Sequence, residues 1–309
     1  MNFTGENMKF GMIQKINSYF PKISNIKSWL KDIKNGFLIL VYLIKLRCPL
    51  RFIISQMVIL LTLGLVCPVT RLMFGKARSY RICDSFESTF CPSGILSLPF
   101  SLKSKIIVPK HISYYLPYLD IYLVDVYRRE MLERGMNVID VGANIGVYTI
   151  LAAEKVGKNG KVIAIEPEPE NYQQLLKNIR LNNFQNVIPV NIALSDHNGL
   201  EKLYISHWAG LHSLVSQKGK VSSIEVSTKT VDKLLEELDL KKVDIIKIDT
   251  EGAEIPILKG AEKTLKANPN IKIIIAAEHY PSEAKEVCQF LNDRGFETEV
   301  SHSGIIMTV

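Results

Sequence analysis

The chain has 309 residues and a mass of 34.9 kDa, 47% of it hydrophobic and 22% charged, which excludes a peptide or a disordered protein and leaves room for one large α/β domain plus a smaller segment. Its net charge of +7 is unevenly placed, with 16 Lys/Arg against 4 Asp/Glu over residues 1–115 and 22 against 27 over the remainder. The excess therefore sits in an apolar N-terminal third, not spread across a surface that reads nucleic acid.

The five cysteines, Cys48, Cys67, Cys83, Cys91 and Cys288, are odd in number and include no CxxC pair. That argues against a disulfide framework and a zinc site, and for a reducing compartment. Along residues 22–34, Ile23, Ile26, Leu30 and Ile33 share one helical stripe with the lysines largely off it, the pattern of a basic amphipathic helix that lies on anionic lipid. An uncharged run follows at 37–44, then a break with Lys45, Arg47, Pro49 and Arg51, then the uncharged run 52–69. As a helix this last run spans roughly 27 Å, just short of the roughly 30 Å hydrocarbon core. Residues 1–78 thus read as a basic, apolar helical region that meets a membrane surface through 22–69. A true span and a soluble cap buried against the rest of the chain are the alternatives. Nine Lys/Arg precede Phe52 and four follow Val69 closely, so a single span would keep the N-terminus cytoplasmic and export everything downstream; an in-plane or re-entrant arrangement avoids that. Residues 79–115 read as a linker with an irregular hairpin, built on the short β-type runs 94–98 and 105–108.

Residues 116–309 read as one α/β domain. From residue 137 the pattern repeats strand, turn, helix, which predicts an open, mostly parallel sheet with helices on both faces. Strands are predicted at 137–141, 161–165, 187–191, 243–248 and 271–277, and helices at 145–155, 169–181, 231–238, 253–266 and 282–294. Short strands near 297–300 and 304–308 close the chain as an antiparallel edge hairpin. Two further β-like runs, 203–206 and 223–226, read as an insertion near the ligand face.

Ligands of such sheets bind at the carboxyl ends of the strands. After the first strand comes Asp140-Val-Gly142-Ala-Asn144-Ile-Gly146, and twenty residues past Gly146 comes Glu166, placed to accept both hydroxyls of a ribose. A dinucleotide turn needs glycine at positions one, three and six, whereas Gly142 is followed by Asn144 and Val147, which would crowd a pyrophosphate. Asp140 would repel a pyrophosphate and attract a cationic amino-acid group, so S-adenosylmethionine fits this turn better. The second constellation, Lys247-Ile-Asp249-Thr-Glu251-Gly-Ala-Glu254, ends a buried strand in three carboxylates. Glu251 and Glu254 suit helix capping, while Asp249 has no such task, and Lys247 is its expected ion-pair partner.

Together, Asp140-Val-Gly-Ala-Asn-Ile-Gly-Val-Tyr-Thr, Ala164-Ile-Glu-Pro, Asn191-Ile-Ala-Leu-Ser-Asp196, Thr230-Val-Asp232 and Ile246-Lys-Ile-Asp-Thr-Glu-Gly-Ala-Glu-Ile-Pro-Ile-Leu-Lys-Gly-Ala261 resemble, in order and spacing, the FkbM family of S-adenosylmethionine-dependent methyltransferases. The resemblance covers residues 110–300 and implies a class I methyltransferase (Rossmann-like) fold with a seven-stranded sheet, and O-methylation of a glycan, lipid or small-metabolite hydroxyl. It implies that Asp140, Gly142, Asn144 and Gly146 cradle the methionine part of the cofactor, that Glu166 holds the ribose, and that Ser195 and Asp196 lie near the adenine. Candidate bases for the hydroxyl proton are Asp249, Glu251, Glu278 and His279, and Trp208 between His207 and His212 is a candidate platform for the acceptor. No ligand spacing calls for a metal. An RNA methyltransferase with a basic N-terminal clamp is a rival reading, disfavoured by the acidic catalytic half and by Asp249-Thr-Glu-Gly standing where base methylases carry an Asn/Asp-Pro-Pro-aromatic tetrad. A non-catalytic scaffold on the same fold is the other. A cytosolic cofactor and a lipid-seeking N-terminal third together predict a location at the cytoplasmic face of a membrane.

Overall fold

The computed structural model describes residues 94–97, 103–109, 121, 125–206, 212–214, 220–301 and 304–308. The chain divides into two compact units, residues 1–124 and 125–309. In the first, β1 (Gly94–Ser97) pairs antiparallel with β2 (Lys105–Val108), the hairpin expected between 79 and 115. On β2, Ile106 and Val108 are buried while Lys105 is exposed, the alternation of a strand with one covered face. The predicted membrane segment 22–69, Cys83 and Cys91 lie outside the described residues. Among the described residues no helix is long and apolar enough to cross a membrane.

The second unit is built on β3 (Asn137–Val141), β4 (Lys161–Ile165), β5 (Val187–Val190), β6 (Ala193–Leu194), β7 (Gly199–Ser206), β8 (Lys220–Lys229), β9 (Ile245–Ile248), β10 (Lys272–Ala276), β11 (Thr298–Val300) and β12 (Ile305–Thr308). Its helices are α1 (Val147–Val156), α2 (Pro169–Leu181), α3 (Val231–Glu237), α4 (Glu254–Lys259), α5 (Glu262–Ala267) and α6 (Glu283–Asn292). Seven strands form one sheet in the order β11-β12-β10-β9-β3-β4-β5. The five from β10 to β5 run parallel, and β12 and β11 are antiparallel at the edge, so the seven-stranded sheet expected from the resemblance is present.

The central strands are apolar on both faces, as a parallel sheet covered by helices requires. Ile139, Val141, Ile163, Ile165, Ile246, Ile248, Ile273 and Ile275 share one core with Val231 and Leu234 of α3, Ile257 and Leu258 of α4, Leu265 of α5 and Val287 and Leu291 of α6. Their neighbours Val138, Val162, Ala164 and Ile245 are equally buried and point to the opposite face, where α1 packs on β3 and β4. β6, β8 and β7 form a separate three-stranded sheet, longer than the two short runs expected there.

The helix predicted at 253–266 is broken into α4 and α5. Gly260 packs so closely that a Cβ on it would stand 2.2 Å from the Ser195 carbonyl oxygen, and the chain turns there. The Asp232 carboxylate on α3 restarts the helix by accepting from the N–H groups of Lys263 (2.9 Å) and Thr264 (2.8 Å), which satisfies two of the donors that a helix start leaves open.

Candidate active site

The carboxyl ends of β3, β4, β9 and β10 form one rim, and its foundation is a buried ion pair. Asp140 is fully enclosed; its Oδ2 accepts from Thr149 Oγ1 at 2.6 Å and its Oδ1 lies 3.1 Å from Lys247 Nζ. Lys247, also buried, donates to the Gly142 carbonyl at 3.1 Å and stands over the rings of Tyr127 and Tyr148 at 5.3 and 6.0 Å. Burial works to lower the Lys247 pKa, but the charges of Asp140 and Asp249 and the bond to Asp140 outweigh it and hold the ammonium above its usual range. The expected pair of Lys247 with Asp249 is present at 3.9 Å, with Asp140 nearer still, and the Asp140 carboxylate is held within the protein interior by Lys247 and Thr149. Its task is to fix the turn from beneath.

The turn itself is positioned by close approach. Gly142 has φ +75, and a Cβ on it would stand 2.0 Å from the Asp249 carbonyl oxygen, so glycine is required there by the end of β9 as well as by the backbone. Gly146, with φ +92, opens α1 against Leu175. Between them Asn144 adopts a left-handed φ of 51, which asparagine tolerates because its side chain bonds locally; here Oδ1 accepts from Ile145 N at 2.7 Å.

That conformation turns Asn144 N toward Glu166, whose Oε2 accepts from it at 2.8 Å while Oε1 accepts from Glu168 N at 3.0 Å. Burial raises the Glu166 pKa to about 7, against the two backbone N–H groups that lower it. Asn191 then closes the far side, its Nδ2 donating to the carbonyls of Glu166 (2.8 Å) and Pro167 (3.1 Å). Ser195 and Asp196 do not join this group. Ser195 N donates to the Lys229 carbonyl, its own carbonyl packs on Gly260, and Asp196 is exposed and paired with His197 at 2.9 Å. After β5, the residue that braces the backbone of Glu166 is Asn191, which sequence reasoning passed over because an asparagine in an Asn-Ile-Ala-Leu run carries no charge signal.

The second half of the rim is a set of carboxylates around one imidazole. Tyr127 OH donates to Asp249 Oδ2 at 2.6 Å, a contact across 122 residues that no local pattern announces. Glu251 sits at φ 60, a left-handed geometry unusual for glutamate, and its carbonyl accepts from Ser213 Oγ at 2.6 Å. Glu254 turns back to accept from Thr250 N and Oγ1 at 2.9 and 3.0 Å, which ties the loop ahead of α4; it opens that helix but makes no capping bond to it. His279 Nδ1 is 3.1 Å from Glu283 Oε2 and 3.6 Å from Glu254 Oε1, while Nε2 is 3.8 Å from Glu251 Oε2. Both ring nitrogens therefore face carboxylates. Burial alone would lower the His279 pKa, but the Glu283 bond and the charges of Glu251, Glu254 and Asp249 push it up to about 10. While these carboxylates have no other positive partner, the ring holds its proton. Glu278 is raised by burial. His212 accepts from Ser206 N at 3.1 Å, whereas His207 and Trp208 lie outside the described residues.

The cradle fits S-adenosylmethionine: two left-handed glycines bring backbone close to the ligand space, and each Glu166 oxygen, with one N–H bound, keeps acceptor capacity for a ribose hydroxyl. A family model described as the methyltransferase FkbM domain matches residues 140–298, just over half of the chain. The chain belongs to the FkbM methyltransferase family. S-adenosylmethionine is the cofactor that goes with it. The hexuronic acid methyltransferase AglP of Haloferax volcanii is 30% identical over 52% of this chain and 64% of its own length, so the chain spans less than two thirds of that relative. The methyltransferase sdnD of Sordaria araneosa is 24% identical over 58% of this chain and 81% of its own. A solved FkbM methyltransferase from Methylobacillus flagellatus is 17% identical, with a TM-score of 0.41 over 63% of this chain and 53% of that one.

Proposed function

We propose that this FkbM protein is an O-methyltransferase that acts on a hydroxyl of a sugar or a similarly polyhydroxylated glycan, lipid or metabolite at the cytoplasmic face of a membrane. The observation that carries the reading is the contact of Gly142 with the Asp249 carbonyl, which puts the cofactor turn and the acidic rim in direct register. When bound, S-adenosylmethionine supplies a methyl carbon made electrophilic by its sulfonium. The protein's part is alignment of the hydroxyl oxygen and removal of its proton.

Asp249 is the residue suited to that proton. Its side chain is one-third exposed, Tyr127 fixes one of its oxygens, and the other is left to an acceptor. Glu166 orients the ribose, and Lys247 holds two carboxylates, Asp140 beneath the turn closely and Asp249 on the rim at longer range. The hexuronic acid named for the archaeal relative supports a sugar acceptor. The basic, apolar residues 1–115 support the membrane location.

The test is calorimetric titration of the full chain with S-adenosylmethionine, followed by transfer of labelled methyl to uronic-acid, neutral-sugar and lipid-linked sugar acceptors. Asp249→Asn is expected to keep cofactor binding and lose transfer. A folded protein that binds no S-adenosylmethionine would overturn the reading. Flotation of the full chain with anionic but not neutral vesicles is expected, and indifference to lipid charge would refute the location.

A further inference from the structure

The seven-stranded sheet brings the ends of β9 and β10 side by side, with Ile248 opposite Ile275. Each strand end carries potential metal ligands that are some thirty residues apart in the chain, so no sequence spacing shows them as a set. Asp249, Glu251 and His279 each offer a ligand atom, and these atoms all lie within 4.8 Å of one another. We infer that they form a binding site for one divalent cation of the manganese type, facing the acceptor side of the cleft.

The distances favour a common ion over direct bonding. His279 Nε2 and Glu251 Oε2 are 3.8 Å apart, too far for a hydrogen bond, yet within the roughly 4 Å that two donors span when each stands about 2.1 Å from one ion. The imidazole is also set as a ligand would be. A metal-binding histidine ordinarily gives its other ring nitrogen to a carboxylate, which fixes the ring; here Nδ1 lies 3.1 Å from Glu283 Oε2, and Glu283 also accepts from His279 N at 2.7 Å. Asp249 is fixed likewise, with Oδ2 held by Tyr127 OH.

Behind the ring, Glu254 and Glu283 are fully buried and hydrogen-bonded to each other, an arrangement that shares one proton between them. Glu283 keeps the charge that orients the imidazole. The ligand set selects the ion: two carboxylates suit magnesium and manganese, and an imidazole shifts the preference toward manganese and its transition-metal neighbours.

The accessible ligands keep the site open. Asp249 is 33% exposed and Glu251 20%, so coordination positions remain for an acceptor. There the cation would bind the acceptor oxygen and acidify its hydroxyl. That role rests on the methyl-transfer reading; the site itself does not.

The test is Mn2+ binding to the full chain, stripped of metal with a chelator, without S-adenosylmethionine or acceptor. Electron paramagnetic resonance of free Mn2+ is expected to show one bound ion per chain, and pulsed resonance of the bound ion to show nitrogen coupling from one imidazole. Asp249→Asn and His279→Gln are each expected to weaken binding by about tenfold or more, while Glu262→Gln, an exposed acid paired with Arg294, leaves it unchanged. The nitrogen coupling needs no variant, so a variant that fails to fold does not blunt the test. Absence of binding, binding without nitrogen coupling, or equal binding by folded variants would overturn the inference. Cofactor binding measured on the same sample separates the two readings, because cofactor bound with no Mn2+ site sinks the metal alone, and the reverse sinks the methyl transfer alone.

Discussion

Replacement of Lys247 by methionine isolates the ion pair beneath the cofactor turn. Asp140 is fully enclosed and Lys247 only 3% exposed, so the variant leaves a carboxylate in the interior with Thr149 as its remaining side-chain donor. Removal of one member of a buried pair costs about 3–5 kcal/mol. In a unit of this size each kcal/mol lowers the melting temperature by about 2–4 °C, so Lys247→Met should melt about 6–20 °C below the parent. The neutral double variant Asp140→Asn/Lys247→Met keeps the volume and the Thr149 contact without a stranded charge, and should recover most of that loss. Thermal melts of the four proteins give the coupling energy, expected at about 2 kcal/mol or more. A double variant as unstable as the sum of the two singles would show that the pair is not what supports the turn.

Gly142→Ala meets the Asp249 carbonyl and a left-handed φ together. It should destabilise by more than Gly135→Ala, a glycine with φ +85 and open space around it where the backbone alone costs about 1–2 kcal/mol; equal melting of the two variants would refute the contact. Glu166 holds its proton up to about 7, and ribose hydroxyls favour its ionised form. S-adenosylmethionine affinity should therefore rise with pH through about 7, with binding about tenfold weaker at pH 6 than at pH 8. Calorimetry of Glu166→Gln should show weak binding with no such slope. Tyr127→Phe removes the hydroxyl from Asp249 and keeps the edge contact with Tyr148 at 5.6 Å. It should slow methyl transfer about tenfold with cofactor affinity unchanged, and a parallel loss of cofactor affinity would assign Tyr127 to the fold instead.

The strands were readable where burial is two-sided. The ranges 137–141 and 161–165 match β3 and β4 to the residue, and 169–181 matches α2, because Glu168 caps it and proline starts it. The break between α4 and α5 was hidden, since Gly260 acts through a carbonyl of Ser195, 65 positions earlier. β6 was too short to show, having two residues. In the site, the turn and Glu166 stood out because backbone demands fix their residue types locally. Tyr127, Asn191 and the partners of Asp140 did not, because each is defined by an element distant in sequence. His279 was visible but its surroundings were not: only the folded chain shows three glutamates around it.

Among the described residues the small sheet β6-β8-β7 shares no strand pairing with the seven-stranded sheet. It meets the catalytic rim through Ser213, which pairs with Tyr204 of β7 and donates to the Glu251 carbonyl. Residues 199–229 are thus an interchangeable part: they leave the main body after β6 and return just before α3, and their length can drift without shifting any register in the parallel strands. A change in this stretch can therefore reach the rim through Ser213 while the register of the parallel strands beneath the cofactor turn stays as it is.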